Sequence, residues 1–143
     1  MTQEEKELLL KDLCARLPYG VKVNFHGKIE ILGEAHIYSN VQTFVGESGI
    51  LYDVEFVKPY LRPMDSMTEE EKKEVARIFG SEVDYTNIAY EINWEFPYDY
   101  LSYNLEWDDV ISAVEFFNRK HLDYRGLIPK GLALEAPEDM YKI

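Results

Sequence analysis

His121 and Asp123 stand two residues apart at the end of an apolar stripe, the residue types that a histidine base and an assisting carboxylate would need. The commoner role for such a histidine is a hydrogen-bonded core or capping group. His26, His36 and His121 are scattered along the chain, and neither C-x-x-C nor H-E-x-x-H occurs, so no metal is expected. No glycine cluster follows a strand and opens a helix with the spacing of a phosphate loop, so no cofactor is expected either. The acid pairs Asp108-Asp109 and Glu69 to Glu71 are accounted for by helix starts rather than by a glycosidase role. Arg62 and Arg125 are different, because each lies near a tyrosine at an element boundary in a chain poor in arginine. Packing and carboxylate pairing is the favoured account of both. The sharper alternative is a recognition surface of Tyr60, Arg62, Tyr124 and Arg125, residue types that concentrate binding energy.

The elements that must hold these residues read in order. Thr2 and Glu5 form a capping box, and Leu9, Leu10, Leu13, Cys14 and Leu17 recur at helical spacing, which predicts a helix over Gln3 to Arg16. Cys14 is expected to be a buried small apolar residue of that helix. Val21, Val23 and Phe25 then alternate with polar residues, and His26-Gly27 reads as a turn. Lys28 to Leu32, Ala35 to Tyr38, Val41 to Val45 and Ile50 to Val57 predict further short strands. Between Val57 and Glu71 lie Pro59 and Pro63, a last edge strand near Tyr60 to Pro63, and a second capping box at Thr68 and Glu71. The helix so opened runs to about Phe79. Ile88, Tyr90, Ile92, Trp94 and Phe96 alternate with polar residues and predict a strand over 88 to 96. A longer helix follows, with an apolar stripe through Trp107, Val110, Ile111, Val114 and Phe117. Glu135 to Ile143 reads as a tail.

The expected fold is therefore α+β: an N-terminal helix, a small bent antiparallel sheet or SH3-like barrel through about residue 63, and a mainly helical C-terminal half. With 143 residues, a single compact domain over 1 to 143 is expected.

Against 15 Lys and Arg stand 27 Asp and Glu, a net charge of −12, which opposes direct binding to nucleic acid or to an anionic membrane. No apolar stretch approaches a membrane span and no basic leader precedes one, so a cytoplasmic protein is expected. The same acidity admits a second reading, in which rows of carboxylates imitate DNA phosphates and occupy a basic groove of a host protein.

The stretches KDLCARLPYGVKV, VKPYLRPMDSMTEEEKKE and FFNRKHLDYRGLIPKGLALEAPEDMYK resemble a family of uncharacterised small proteins of gut anaerobic bacteria, often found among phage or prophage genes. Phe116-Phe117 stands where that pattern has a tryptophan-leucine pair, and Leu122 where phenylalanine is common. The resemblance implies a phage-associated setting and brings no activity, cofactor or catalytic residue. Together these readings predict a non-catalytic accessory protein whose partner is a protein. The enzyme alternative rests on His121 and Asp123.

Overall fold

The computed structural model describes residues 1–38, 41–79 and 107–142. The strand expected over 88 to 96 lies outside the described residues. The chain divides into two units, Met1–Leu61 with Leu127–Ile143 and Arg62–Gly126, each with its own hydrophobic core. No helix among the described residues is long and apolar enough to cross a membrane.

The first unit opens with α1 (Gln3–Arg16), started by the expected capping box: Glu5 N–H donates to Thr2 Oγ1 at 3.1 Å, and Thr2 N–H donates to Glu5 Oε1 at 2.9 Å. Its buried face is Leu9, Asp12, Leu13 and Arg16, while Cys14 is exposed. The expected stripe was thus turned partly out of phase, and the physical reason is a charge pair. Asp12 and Arg16 are both fully buried, with Arg16 Nε 2.9 Å from Asp12 Oδ2 one helical turn away. Neutralising each other, they occupy a face that sequence hydropathy assigns to neighbouring apolar residues.

β1 (Lys22–Phe25), β2 (Lys28–Tyr38), β3 (Val41–Gly46), β4 (Leu51–Asp53), β5 (Val57–Leu61) and β6 (Leu134–Glu135) form one sheet in the order β4-β3-β2-β1-β5-β6. Neighbours are antiparallel except β5 and β6, so the sheet is mixed; it is also open rather than closed as a barrel. His26 and Gly27 make the β1–β2 turn with φ of 48° and 91°. Positive φ at both central residues is what a two-residue hairpin with right-handed strand twist requires, and Asn24 Oδ1 accepts from Gly27 N–H at 2.9 Å.

Gly33 does not end a strand as expected. It forms a bulge, visible as a register shift between Leu32 and Glu34, and lets one continuous strand change partners. β1 pairs with its first part, Lys28 to Ile31, and β3 with the part from Leu32 to Tyr38. Gly46 is required by crowding: a Cβ there would lie 2.7 Å from Phe25 Cε2 and 3.0 Å from Glu30 Cβ. The proline-bearing strand is β5, which starts earlier than expected and is flanked by β1 and, at Tyr60 and Leu61, by β6.

The C-terminal segment is a strap as much as a tail. Beyond β6, Ala136 N–H donates to Leu61 O at 2.7 Å. Tyr141 Oη accepts from Lys22 N–H at 2.9 Å and lies 2.7 Å from Tyr60 O, to which it donates, so a hydroxyl bridges β1 and β5. Lys22 Nζ donates to Met140 O at 2.9 Å. Burial, the dominant effect, pushes the Tyr141 hydroxyl up to about 12 despite the bond from Lys22 N–H and the nearby Arg16 charge.

The second unit contains α2 (Glu69–Phe79) and α3 (Trp107–Arg119). Its core is Met64, Met67, Val75, Val110, Ala113, Phe116, Phe117, Leu122 and Tyr124. Ile111, placed by its spacing on the apolar stripe, is 52% exposed; Ala113 and Phe116 take the buried positions.

Two outcomes follow from these contacts. Replacing Asp12 with Leu removes the ion pair with the buried Arg16 guanidinium and should cost about 3–5 kcal/mol, whereas the Asp12→Leu, Arg16→Met double variant should recover most of it. Urea unfolding of the three proteins measures this, and a double variant no more stable than the single one would reject the pair's role. The Tyr141 hydroxyl stabilises the fold fully below its ordinary value of 10.0, and that contribution is lost as pH rises through about 12. Tyr141→Phe should therefore lower stability by about 1–3 kcal/mol at neutral pH and flatten the alkaline limb of a stability profile.

Candidate functional site

Arg62 is the most connected of the residues singled out by sequence. Its backbone pairs with the segment after α3: Arg62 N–H donates to His121 O at 2.7 Å, and Asp123 N–H donates to Arg62 O at 2.8 Å. Its guanidinium forks onto Glu71, with Nη1 to Oε2 at 2.8 Å and Nη2 to Oε1 at 2.7 Å, the bidentate geometry that suits arginine and carboxylate. The same two nitrogens donate to Lys120 O at 3.3 Å and Ser66 O at 3.2 Å. Glu71 is also the N3 residue of the expected capping box, since Thr68 N–H donates to Glu71 Oε1 at 2.9 Å and Glu71 N–H to Thr68 Oγ1 at 3.2 Å. One carboxylate thus starts α2 and holds Arg62. Burial, the largest single effect, raises its proton affinity, but the Arg62 and Thr68 hydrogen bonds and the Arg62 charge together outweigh it, so the Glu71 carboxyl is held below its ordinary value of 4.5.

His121 lies at the end of α3 with φ of 60°, in the left-handed region. Leu122 N–H donates to Phe117 O at 2.9 Å and His121 N–H to Asn118 O at 3.2 Å, the two bonds of a Schellman stop. Leu122 and Phe117 share the core, as that motif favours. Histidine thus fills a place usually given to glycine, at an extra backbone cost that its neighbours must outweigh. Asp123 follows in the segment paired with Arg62, and both side chains are buried, at 8% for His121 and 6% for Asp123.

Tyr124 is 1% exposed and donates its hydroxyl to Asn118 Oδ1 at 2.8 Å. Arg125 lies over the Tyr124 ring, Cζ to centroid 5.0 Å, with Nη2 donating to Tyr124 Oη at 3.0 Å. Tyr60 belongs to the other unit, where its hydroxyl accepts from Asn24 Nδ2 at 3.1 Å. Arg62, His121, Asp123, Tyr124 and Arg125 are therefore brought together in the second unit, and each one's polar atoms or backbone support local structure. Among the described residues, no three His, Cys, Asp or Glu side chains converge as a metal site would require.

A feature not singled out from the sequence lies at the far end of the β2–β3 hairpin. Ile37 is 47% exposed, Tyr38 67% and Val41 48%, with Ile37 opposite Gln42 and Tyr38 opposite Val41. Pairing with β1 extends along β2 only to Ile31 and pairing with β4 extends along β3 only to Thr43, so this end continues as a two-stranded ribbon. The signal was present: Ile37 and Tyr38 are adjacent, and consecutive apolar residues on a strand must face opposite sides. Comparison with family models, curated proteins and solved structures finds no match.

Arg62→Ala should destabilise the second unit by about 2–4 kcal/mol, because it leaves a largely buried carboxylate without its fork. The Glu71 carboxylate contributes stability above its ordinary value of 4.5, and that contribution is lost as pH falls through the lower folded value. Glu71→Gln should accordingly shallow the acid limb of stability between neutral pH and pH about 3. Denaturant titrations across that range measure both.

Proposed function

We propose that the protein is a non-catalytic binding or accessory protein of the phage or prophage type, and that it engages a protein partner through the β2–β3 ribbon. The observation that carries this is the exposure of Ile37, Tyr38 and Val41 at the end of the β2–β3 ribbon, where β3 alone pairs with β2. Large apolar side chains clustered on a surface mark contact sites, and tyrosine supplies contact area with few rotatable bonds. The resemblance to phage-associated proteins favours the accessory role. The ribbon belongs to the first unit, whereas Arg62 and Glu71 hold the second.

The alternatives draw less support. An enzyme using His121 and Asp123 would need both at a reacting atom, whereas both are buried and their backbone atoms serve a helix stop and a bridge. DNA mimicry needs acids free to face a basic groove. Asp12, Glu30 and Glu71 are instead engaged within the fold, and Glu69 with Lys72 and Glu74 with Arg77 form local pairs.

Immobilised protein should recover a discrete partner from host lysate, and a variant carrying Ile37→Ser, Tyr38→Ser and Val41→Ser should lose it at unchanged melting temperature. Recovery unaffected by the triple variant would remove the ribbon from the reading. Turnover of a small molecule by the purified protein, with no partner recovered, would replace binding with catalysis.

A further inference from the structure

The ribbon has a free backbone edge as well as exposed side chains. β2 lies between β1 and β3, but β1 pairs only with Lys28 to Ile31, and Leu32 N–H closes that side by donating to Val21 O at 2.9 Å. From Glu34 to Tyr38 the strand is paired by β3 alone. Among the described residues, nothing bonds to the backbone on its other side. Alternate residues there present N–H and C=O groups outward, a ready template for another strand.

The means by which proteins guard such edges are sparse here. The other sheet edges, β4 (Leu51–Asp53) and β6 (Leu134–Glu135), are very short. Glu34 to Tyr38, Glu-Ala-His-Ile-Tyr, contains no lysine and no proline, and the bulge lies before it. Its isoleucine and tyrosine favour a strand.

We infer that this edge pairs with the same edge of a second copy of the chain, giving a symmetric antiparallel dimer centred on His36. The inference rests on the ribbon being the contact surface proposed above. The sequence is self-complementary in that register. Ala35 falls opposite Ile37 of the second copy, apolar against apolar. Glu34 falls opposite Tyr38 of the second copy, where a carboxylate can accept from a hydroxyl, and no two carboxylates meet. His36 meets itself, with Glu34 Oε2 of its own strand 2.9 Å from its Nε2. Because the pairing is isologous, it closes at two copies and leaves no further edge of the same kind. A net charge of −12 on each chain opposes the approach at long range, so association should strengthen with salt.

Sedimentation of the full chain over a micromolar to millimolar concentration series, at low and high salt, tests this. The expected result is a monomer–dimer equilibrium that shifts toward dimer with salt and weakens at least tenfold in Ile37→Lys, which leaves the melting temperature unchanged. In a Cys14→Ser background, mild oxidation should cross-link a His36→Cys variant between copies and should not cross-link Lys58→Cys, placed on the exposed part of β5. A monomer at every concentration, a dimer indifferent to Ile37→Lys, or equal cross-linking at both positions would overturn the self-pairing. If the chain is monomeric while Ile37→Lys still abolishes capture of a host protein, self-pairing fails and the ribbon's binding role stands. If it dimerises through this edge and no host protein is captured, self-pairing stands and the host-partner reading fails.

Discussion

The second unit depends on one fork of hydrogen bonds, the Arg62 guanidinium on the Glu71 carboxylate. Three segments meet there: the turn after Pro63 through Ser66 O, the start of α2 just beyond it, and, from far along the sequence, the end of α3 through Lys120 O. A guanidinium can satisfy such a set because its donors are fixed in one plane and its charge survives partial burial. Lysine, with a compact ammonium on a flexible stem, could not hold the carboxylate in two bonds while also reaching two carbonyls. The carboxylate in turn is shared with the capping box, so helix start and tertiary tether stand or fall together.

The first unit solves a related problem with different groups. A helix face that must bury Leu9 and Leu13 also buries Asp12 and Arg16, and their mutual pairing offsets part of the cost of burying the two charges. Nearby, Tyr141 brings a hydroxyl to Lys22 N–H and Tyr60 O. The C-terminal strap therefore completes hydrogen bonding that β1 and β5 leave open. Glu30, also largely buried, accepts from Ser48 N–H at 2.6 Å and from Ser48 Oγ at 3.1 Å, fixing the turn between β3 and β4. Asp12, Arg16 and Glu30 in the first unit and Asn118, which accepts from Tyr124, in the second all hold local structure.

That allocation bears on function. The histidine, acids and arginines most suggestive of chemistry or recognition are tied to helix ends and strand ends, while the ribbon beyond the bulge holds apolar side chains in solvent. A bulge lets β2 leave β1 and continue with β3, so the same irregularity that bends the sheet also frees an edge.

Local chemistry made much of this legible. Both capping boxes, the bounds of α1, the His26-Gly27 turn and the alternation of β1 depend on residues within a few positions of one another, so the sequence alone determined them. Tertiary structure decided what lies beyond that range. Cys14 is exposed because a charge pair, unreadable from hydropathy, turned α1; β5 became a flanked strand because Leu134 and Glu135 return to it from seventy residues or more away. Arg62 could be noticed from its setting, but its partners could not, since Glu71, Lys120 and His121 converge only when the helices pack. The open ribbon was decided in the same way, for the exposure of Ile37 and Tyr38 depends on where β1 and β4 stop, and strand lengths are set by partners rather than by the strand itself.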